Sequence, residues 1–309
     1  MGIFKNEISI ENRDILNEYL TSFEYRTSGL SFSSLYMWRN ENEFTWEIFG
    51  DYMVVSGISH LELDTPEYFI FPPLTRNGTY EPAGVKEAID AARKRFQEKN
   101  QKFSLRLIPA HMLNILETAF PNDLEFTADR PNYDYLYLKK DLAELKGRAY
   151  HSKKNHLNYF LNHYQYEYVA LTPDMLGIVS AFLKEFNARK NVSEHEKHWL
   201  KMEESAMHDV VRNIDKLDYL AGAIIIDGKV EAFTIGGRSG QHTVTVHVEK
   251  ANSNIRGLYQ AINNEFCKYL DDSVEYVNRE EDMGIENLRK AKLSYKPIEV
   301  VEKYIAVFK

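Results

Sequence analysis

Two strand patterns joined by the dipeptide Asp227-Gly228 constrain the fold of this chain more than any other feature of its sequence. Residues 219–226 and 229–235 consist mostly of apolar and β-branched residues, which favour strands. Asp-Gly tolerates the positive φ angles of a type I′ turn, so the pattern predicts a two-residue β-hairpin. We therefore expect a sheet with antiparallel strands in the second half of the chain.

The elements around this hairpin follow a definite order. A basic helix and a strand come first, two helices lead to the hairpin, and strands alternate with helices after it. The predicted bounds are helix 150–164, strand 166–171, helices 173–186 and 195–212, the hairpin, strand 243–248, helix 258–270, strand 275–278, helix 285–291 and strand 300–308. This order resembles that of an acyltransferase module of the GNAT (Gcn5-related N-acetyltransferase) type.

The first half of the chain predicts an α+β unit in its own right. Its best-defined element is a helix at residues 85–98, whose apolar residues recur at helical spacing. Short strand patterns lie on both sides of this helix, and the last of them, residues 133–138, closes the unit. We therefore expect two domains, residues 1–138 and 139–309.

Composition narrows the class of protein. The 309 residues carry a net charge of −8 with a pI near 5.7, so no broad positive field attracts nucleic acid. The only cysteine in the sequence, Cys267, forms no internal disulfide and fits a small core residue in a helical pattern. No signal peptide or membrane-spanning stretch is recognisable, so we expect a cytoplasmic protein with no membrane span.

Neither a metal site nor a covalently bound cofactor is expected. His195, His198 and His208 lie close together in the sequence but lack carboxylate or cysteine partners at the spacing of zinc ligands. The chemistry is therefore expected to depend on side chains and on a diffusible donor substrate.

The passage from strand 243–248 into helix 258–270 is the expected donor site. Backbone N–H groups at a helix N-terminus, together with the helix dipole, bind phosphate or pyrophosphate. Gly257 lets the backbone approach such an anion closely, and Arg256 adds a charge-assisted hydrogen bond. An Arg-Gly pair also occurs in ordinary turns before helices, so this assignment depends on the surrounding element order.

His247, Glu249 and Tyr295 are among the candidate acid–base groups. His247 and Glu249 alternate along one strand, which would place both side chains on one face of the sheet. Such a pair orients an imidazole as a general base for an acceptor amine, although a structural pair within the sheet fits equally well. Tyr295 follows a short helix, where it is either the acid for the leaving group or a packed aromatic residue.

Polar residues also follow strand 275–278. In the functional interpretation, Asn278 and Arg279 bind the donor, Arg279 as a partner for an anion or carboxylate. Glu280 or Asp282 then acts as a base or recognises an amine. Acidic residues before a helix also cap it, so the same segment fits a capping role.

Helix 150–164 carries the clearest basic patch. Its candidate donor-binding residues are Lys153, Asn155, Asn158 and Tyr159, and Asn155 shares a helix face with Tyr159. Cations beside an aromatic ring suit an adenine or the acceptor end of a tRNA. A solvated helix face is the other interpretation.

Three segments resemble a known family. They are residues 247–252 (His-Val-Glu-Lys-Ala-Asn), 278–284 (Asn-Arg-Glu-Glu-Asp-Met-Gly) and 288–297 (Leu-Arg-Lys-Ala-Lys-Leu-Ser-Tyr-Lys-Pro). They look like the DUF2156 family, which is similar to the C-terminal domain of phosphatidylglycerol lysyltransferase. The resemblance implies an α+β fold of two GNAT-like (acyl-CoA N-acyltransferase-like) domains in tandem, each with a mixed, mostly antiparallel sheet flanked by helices, as in Fem-type aminoacyltransferases.

The resemblance also implies a reaction. Relatives with known activity transfer an aminoacyl group from aminoacyl-tRNA to an amine or hydroxyl, so the first expectation is an acyl- or aminoacyl-transferase. Its donor would be aminoacyl-tRNA, bound without an extended nucleic-acid surface. The alternatives are an N-acetyltransferase that uses acetyl-CoA as its acyl-CoA donor, and a non-catalytic tandem domain that binds a ligand or partner.

Overall fold

The computed structural model describes residues 2–22, 26–60, 66–189 and 194–309, and it divides into two compact units. The first unit comprises Met1–Asp134, Glu280–Arg289 and Val300–Lys309, and the second comprises Tyr135–Arg279 and Lys290–Glu299. This division differs from the expected one at residue 138, because two stretches of the C-terminal segment return to the first unit.

The bounds of the elements are as follows. The helices are α1 (Arg13–Leu20), α2 (Phe32–Met37), α3 (Pro82–Glu98), α4 (Leu113–Ala119), α5 (Lys139–Glu144), α6 (His151–His163), α7 (Leu176–Ala188), α8 (Glu194–Arg212), α9 (Leu258–Tyr269) and α10 (Glu286–Leu293). The strands are β1 (Asn6–Glu7), β2 (Thr45–Phe49), β3 (Tyr52–Ser59), β4 (Glu67–Ile70), β5 (Leu74–Thr75), β6 (Ser104–Pro109), β7 (Leu124–Ala128), β8 (Asp134–Leu138), β9 (Glu167–Ala170), β10 (Tyr219–Ile226), β11 (Lys229–Arg238), β12 (Thr243–Ala251), β13 (Tyr276–Asn278), β14 (Glu299–Val301) and β15 (Lys303–Phe308).

The first unit is built on a mostly antiparallel sheet. Its described strands follow the order β1-β2-β3-β4-β6-β15-β7, with β5 paired to β3, and β4 and β6 run parallel. Helix α3 packs its apolar stripe into the core of this unit, with Val85, Ile89, Ala92 and Phe96 at most 1% exposed. The predicted helix at residues 85–98 is therefore confirmed, with one more turn at its start.

The C-terminal strand pattern is split between the two sheets. Residues 300–308 were expected to form one strand of the second domain. Instead β14 ends at Val301 and joins the second sheet, whereas β15 lies between β6 and β7 in the first sheet. The apolar pattern predicted strand structure correctly but carried no information about which sheet each part would join.

A buried ion pair fixes the start of β15 in the first unit. The Lys303 ammonium donates to Asp134 Oδ1 at 2.7 Å and to Ser28 Oγ at 3.0 Å. The other carboxylate oxygen of Asp134 accepts the Ser28 backbone N–H at 2.7 Å. Burial acts to lower the pKa of Lys303, but the charges of Asp134 and Glu281 outweigh it and hold the pKa above its ordinary value.

The second unit contains the sheet order β14-β8-β13-β12-β11-β10-β9. Strands β12 and β13 are parallel, while the pairs β9–β10, β10–β11, β11–β12 and β8–β13 are antiparallel. The hairpin is confirmed, because Ile226 pairs with Lys229 across Asp227 and Gly228, whose φ angles are 50° and 77°. Both turn residues thus have the positive φ of a type I′ turn.

Helices cover both faces of this second sheet. Phe233 on β11 packs against Phe182 of α7, with ring centroids 5.7 Å apart. Gly236, three residues along the strand and so on the opposite face, lies under Phe266 of α9. We refer to these two sides of the sheet as the α7 face and the α9 face.

The buried Lys303–Asp134 pair predicts a large effect of a single substitution. Lys303→Met leaves the Asp134 carboxylate buried beside Glu281 with its main counter-charge removed, and this is expected to cost about 3–5 kcal/mol of unfolding free energy. Lys309→Met, near the exposed end of the same strand, serves as the matched control. Urea unfolding measures both, and equal stability of the two variants would contradict the anchoring role of Lys303.

Candidate active site

A β-bulge interrupts β12 at the expected donor passage. Ile235 of β11 pairs with Val248, but the next residue, Gly236, pairs with Val246, so the register skips His247. A bulge inserts one extra residue into one strand, and it breaks the alternation of side chains between the two faces. His247 and Glu249 therefore no longer follow the simple two-residue period.

The bulge separates the two candidate acid–base residues. The His247 ring contacts the ring of Tyr219. Tyr219 pairs with Gly237, which is four residues from Phe233 along β11, so Tyr219 and His247 lie on the α7 face. Glu249 pairs with Thr234 and contacts Asn263 of α9, so it lies on the α9 face. The expectation that His247 and Glu249 share a face was wrong, because it assumed an unbroken strand. Glu249 therefore does not orient the His247 imidazole as a general base.

The parallel strands β12 and β13 part at the centre of the sheet. Strand β13 is paired with β12 only from Thr243 to Thr245, and it ends at Asn278. Arg279 follows immediately, and its Nη2 donates to Glu249 Oε1 at 2.9 Å. An ion pair thus spans the gap where the strands separate. Glu249 Oε2 accepts a further hydrogen bond from Asn263 Nδ2 at 3.1 Å.

Arg279 is held firmly but keeps one donor group free. Its guanidinium lies 4.7 Å from the ring centre of Tyr295 and 5.8 Å from that of Tyr137. The side chain is only 13% exposed. Its Nη1 is buried and has no hydrogen-bond partner among the described residues. Because an unsatisfied buried donor costs free energy, such a group is ready for an acceptor atom of a ligand.

Electrostatics keep this arginine protonated. Burial is the largest influence and acts to lower the pKa of Arg279, but Glu249, Tyr137 and Tyr295 together outweigh it, and the pKa is raised above its ordinary value. The group is therefore a permanent cation with a free N–H pair.

Tyr295 lies in the same cluster. Its side chain is 5% exposed, and burial raises the pKa of its phenol to about 12, against the opposing effect of Arg279. Gln260 of α9 is hydrogen-bonded to it, and the Lys153 Nζ lies 4.4 Å from its ring centre. Tyr295 is thus both a packed aromatic residue and a protonated phenol beside Arg279. Its role as a catalytic acid stays a prediction.

Gly257 is at the start of α9, but its close neighbour is protein. Its φ is +87°, and a Cβ there would stand 2.1 Å from the backbone oxygen of His156 on α6. The glycine therefore lets α6 and α9 approach each other closely. The sequence gave no sign of this helix contact, and the expectation that Gly257 also serves the approach of an anion stays a prediction.

Arg256 and Tyr159 are brought together at the surface of the second unit. The Arg256 guanidinium lies 4.3 Å from the Tyr159 ring centre, and His163 stacks on the same ring at 4.0 Å with an interplanar angle of 14°. Arg256 and His163 are exposed, and Tyr159 is half-buried. Of the predicted helix residues, Asn155 and Asn158 are exposed on α6.

Asn278 and Glu280, two other predicted site residues, lie outside the cluster around Arg279. Asn278 is fully buried within the sheet between Thr245 and Leu136, so it supports the strands and is not exposed to a solvent-borne donor. Glu280 belongs to the first unit, where its charge raises the pKa of Glu281 and Lys303. A catalytic role of Glu280 stays a prediction.

Several polar residues of the cluster were missed by the sequence analysis. Gln260 and Asn263 bond to Tyr295 and Glu249, and Asn264 donates to the Leu142 and Ala143 carbonyls. They recur three to four residues apart on a helix whose buried side would normally be apolar. This polar stripe was the available signal. Cys267 continues the stripe as a core residue, and burial raises the pKa of its thiol to about 12.

Comparison with protein families gives these residues a context. The family model described as phosphatidylglycerol lysyltransferase, C-terminal, matches residues 21–307. The chain belongs to this family. The predicted resemblance to DUF2156 proteins is thereby confirmed.

Solved structures of similar proteins agree with this membership in the phosphatidylglycerol lysyltransferase C-terminal family. A conserved protein of unknown function from Bacteroides thetaiotaomicron VPI-5482 is 32% identical, with a TM-score of 0.86 over 98% of this chain and 99% of that one. L-PGS from Bacillus licheniformis is 13% identical, with a TM-score of 0.65 over 99% and 94%. FemX is 8% identical, with a TM-score of 0.61 over 97% and 96%. The fold is thus the tandem GNAT-like, Fem-type fold predicted.

One curated sequence also matches this family member. An uncharacterised protein of Mycoplasmoides gallisepticum is 22% identical over 177 residues, and the match spans 56% of this chain and 55% of that protein. In the described part of the chain, no helix is long and apolar enough to cross a bilayer.

The close approach at Gly257 predicts a stability effect. Gly257→Ala is expected to lower the unfolding free energy by more than about 1 kcal/mol, since the methyl group meets the His156 oxygen and φ is positive. Gly177→Ala on α7, with no atom within 4 Å of its Cβ, is the matched control and is expected to be neutral or stabilising. Thermal unfolding measures the stability of both variants, and a melting temperature of Gly257→Ala equal to that of the wild type would contradict the packing role.

Proposed function

We propose that the second unit transfers an aminoacyl group from an aminoacyl-tRNA to an amine or hydroxyl acceptor. Membership in the phosphatidylglycerol lysyltransferase C-terminal family and the similarity in fold to FemX support aminoacyltransferase chemistry in general. The observation that carries the specific proposal is the buried Nη1 of Arg279, a cationic donor group without a hydrogen-bond partner among the described residues.

The chemistry requires such a group. When an acceptor attacks an aminoacyl ester, the carbonyl oxygen becomes an oxyanion, and a donor already oriented towards it lowers the barrier. Glu249 holds the guanidinium through Nη2 on one side, while Tyr295 and Tyr137 flank the group. Arg279 is therefore already ordered before the reaction and loses little conformational entropy during it, which is the condition for effective oxyanion stabilisation.

Glu249 serves as the orienting group for Arg279. Both of its carboxylate oxygens already accept hydrogen bonds, from Arg279 and from Asn263. A carboxylate occupied in this way fixes the rotamer and charge of its partner, whereas taking up a proton would break the ion pair. We therefore assign Glu249 to the positioning of Arg279, whereas the sequence led us to expect that it orients His247 as a general base.

The donor's nucleotide end is assigned to the surface formed by α6 and Arg256. Helix α6 has the sequence HSKKNHLNYFLNH, which contains no acidic residue in a chain of net charge −8. The stack of Arg256, Tyr159 and His163 adds aromatic and cationic surface beside it. Stacking surfaces next to cations bind single-stranded nucleotide ends, and such a small patch needs no extended basic face.

A donor screen tests the proposal directly. Thermal unfolding is followed with aminoacyl-tRNA, uncharged tRNA, acetyl-CoA and CoA, and transfer of radiolabelled amino acids is measured to lipid, peptide and small amine acceptors. We expect stabilisation by tRNA species and transfer from at least one aminoacyl-tRNA, because ligand binding raises the apparent stability. Stabilisation and acetyl transfer with acetyl-CoA alone would support the N-acetyltransferase alternative, and no response to any donor would support a non-catalytic binding protein.

Arg279 is the sharpest single target in that assay. Arg279→Met is expected to lower kcat by about 100- to 1000-fold, which is the cost of losing one oxyanion donor. Arg279→Lys should lose nearly as much, since it keeps the charge but not the planar pair of donors. Arg238→Met, on a partly exposed arginine of the same unit that pairs with Asp271, is the control. Normal turnover by a folded Arg279→Met variant would remove Arg279 from the mechanism.

The stack on α6 predicts a change in affinity rather than in turnover. Tyr159→Leu and Arg256→Ala are expected to weaken tRNA binding about tenfold or more, because stacking one base contributes roughly 1–3 kcal/mol. Fluorescence anisotropy with labelled tRNA at a fixed salt concentration measures this. Lys229→Ala in the hairpin removes an exposed charge elsewhere and should leave affinity unchanged. Equal affinities for all variants would place the nucleotide end outside this surface.

A further inference from the structure

Lys153 is an unusual lysine within the second unit. Its side chain is half-buried, and it has no hydrogen bond or ion pair with any residue that the structure describes. Its Nζ instead lies 4.4 Å from the ring centre of Tyr295, the ring that Arg279 also contacts. By contrast, the buried Lys250 ammonium donates twice to the Glu203 carboxylate, at 2.9 Å each.

Burial and a neighbouring cation disfavour the ammonium form of Lys153. Burial is the larger cause, and the nearby guanidinium of Arg279 adds to it, so the pKa of Lys153 lies below that of an ordinary lysine. The titratable and charged groups of its own helix and of the neighbouring elements are Lys154 and His156 on α6, Glu249 on β12, Arg279 after β13, Tyr137 on β8, Lys292 on α10 and Tyr295 just after α10. The one carboxylate of this set, Glu249, is bonded to Arg279 and Asn263.

The other candidate bases near the reacting centre are unsuitable. Glu249 has both oxygens occupied, and His247 lies on the opposite face of the sheet. Tyr295, with a pKa of about 12, stays protonated near neutral pH. Lys153 remains as a group that offers a lone pair when neutral and stands over the same ring as Arg279.

We propose that Lys153 carries the proton of the transfer reaction, as general base for the acceptor and then as general acid for the leaving group. This role rests on the proposed aminoacyltransferase function. The acceptor nitrogen or oxygen forms a bond to the carbonyl carbon, and its proton passes to neutral Lys153 Nζ. The bond from the carbonyl carbon to the ester oxygen then breaks, the electron pair stays on that oxygen, and Lys153 returns the proton to it. Atoms and charge balance without any further reactant.

A labelling experiment tests the state of Lys153 without any assay of activity. The protein is treated with a trace of isotopically labelled acetic anhydride over a range of pH, and the acetylation of each lysine is followed by mass spectrometry. We expect the midpoint for Lys153 to fall at lower pH than that of its helix neighbour Lys154, which donates to the Glu144 carbonyl at 3.3 Å. Arg279→Met should move the Lys153 midpoint to higher pH. A midpoint for Lys153 equal to or above that of Lys154 would overturn the proposal.

Turnover provides the second test. Lys153→Met, similar in length and apolar, should keep the fold and lower kcat by about a hundredfold or more, with little change in the KM for the donor. Lys153→Arg should be equally slow, because an arginine does not give up its proton. Added propylamine should restore part of the rate to Lys153→Ala. Normal kcat in Lys153→Met, with wild-type transfer present, overturns this proposal alone, whereas the absence of transfer by the wild type overturns the proposed function as well.

Discussion

The ion pair between Arg279 and Glu249 is the interaction on which the candidate active site depends. It spans the place where β12 and β13 part, so it joins the two strands beyond their last paired residue, Thr245. Such a pair inside a protein is costly unless its remaining hydrogen-bonding groups find partners. Asn263 donates a hydrogen bond to the Glu249 carboxylate, but Nη1 of the Arg279 guanidinium has no hydrogen-bond partner among the described residues. An ion pair with all of its hydrogen-bonding groups satisfied would fit a purely structural role. In this pair the cation still has an unused donor, which fits a role in ligand binding.

The bulge at His247 explains why the polar groups gather on one face. Without it, His247 and Glu249 would point the same way, and an imidazole would occupy space near Arg279. The extra residue instead places His247 against Tyr219 and leaves the α9 face to Glu249, Asn263 and Tyr295. The polar stripe of α9 supports the same arrangement, because it supplies amides where an amphipathic helix usually supplies aliphatic side chains.

Local patterns in the sequence predicted the elements well but not their connections. The Asp227-Gly228 turn and the helix at residues 85–98 are consequences of nearby residues, and the structure confirms both. The division of residues 300–308 between two sheets depends on the distant partners Asp134 and Ser28, which no local pattern reveals. For the same reason the sequence drew attention to Arg279 and Lys153 but gave no sign that both contact Tyr295. Gly257 was correctly seen as special, yet its neighbour is the His156 carbonyl.

The most direct test of this account is the structure of the protein bound to an aminoacyl-adenosine in which an amide replaces the reactive ester. This ligand keeps the carbonyl group of the donor but cannot be turned over. We expect the carbonyl oxygen to accept a hydrogen bond from Arg279 Nη1, with the Glu249–Arg279 pair unchanged and the adenine beside Tyr159. A ligand bound elsewhere, or a bound ligand with Arg279 Nη1 still lacking a partner, would contradict the central role of this arginine.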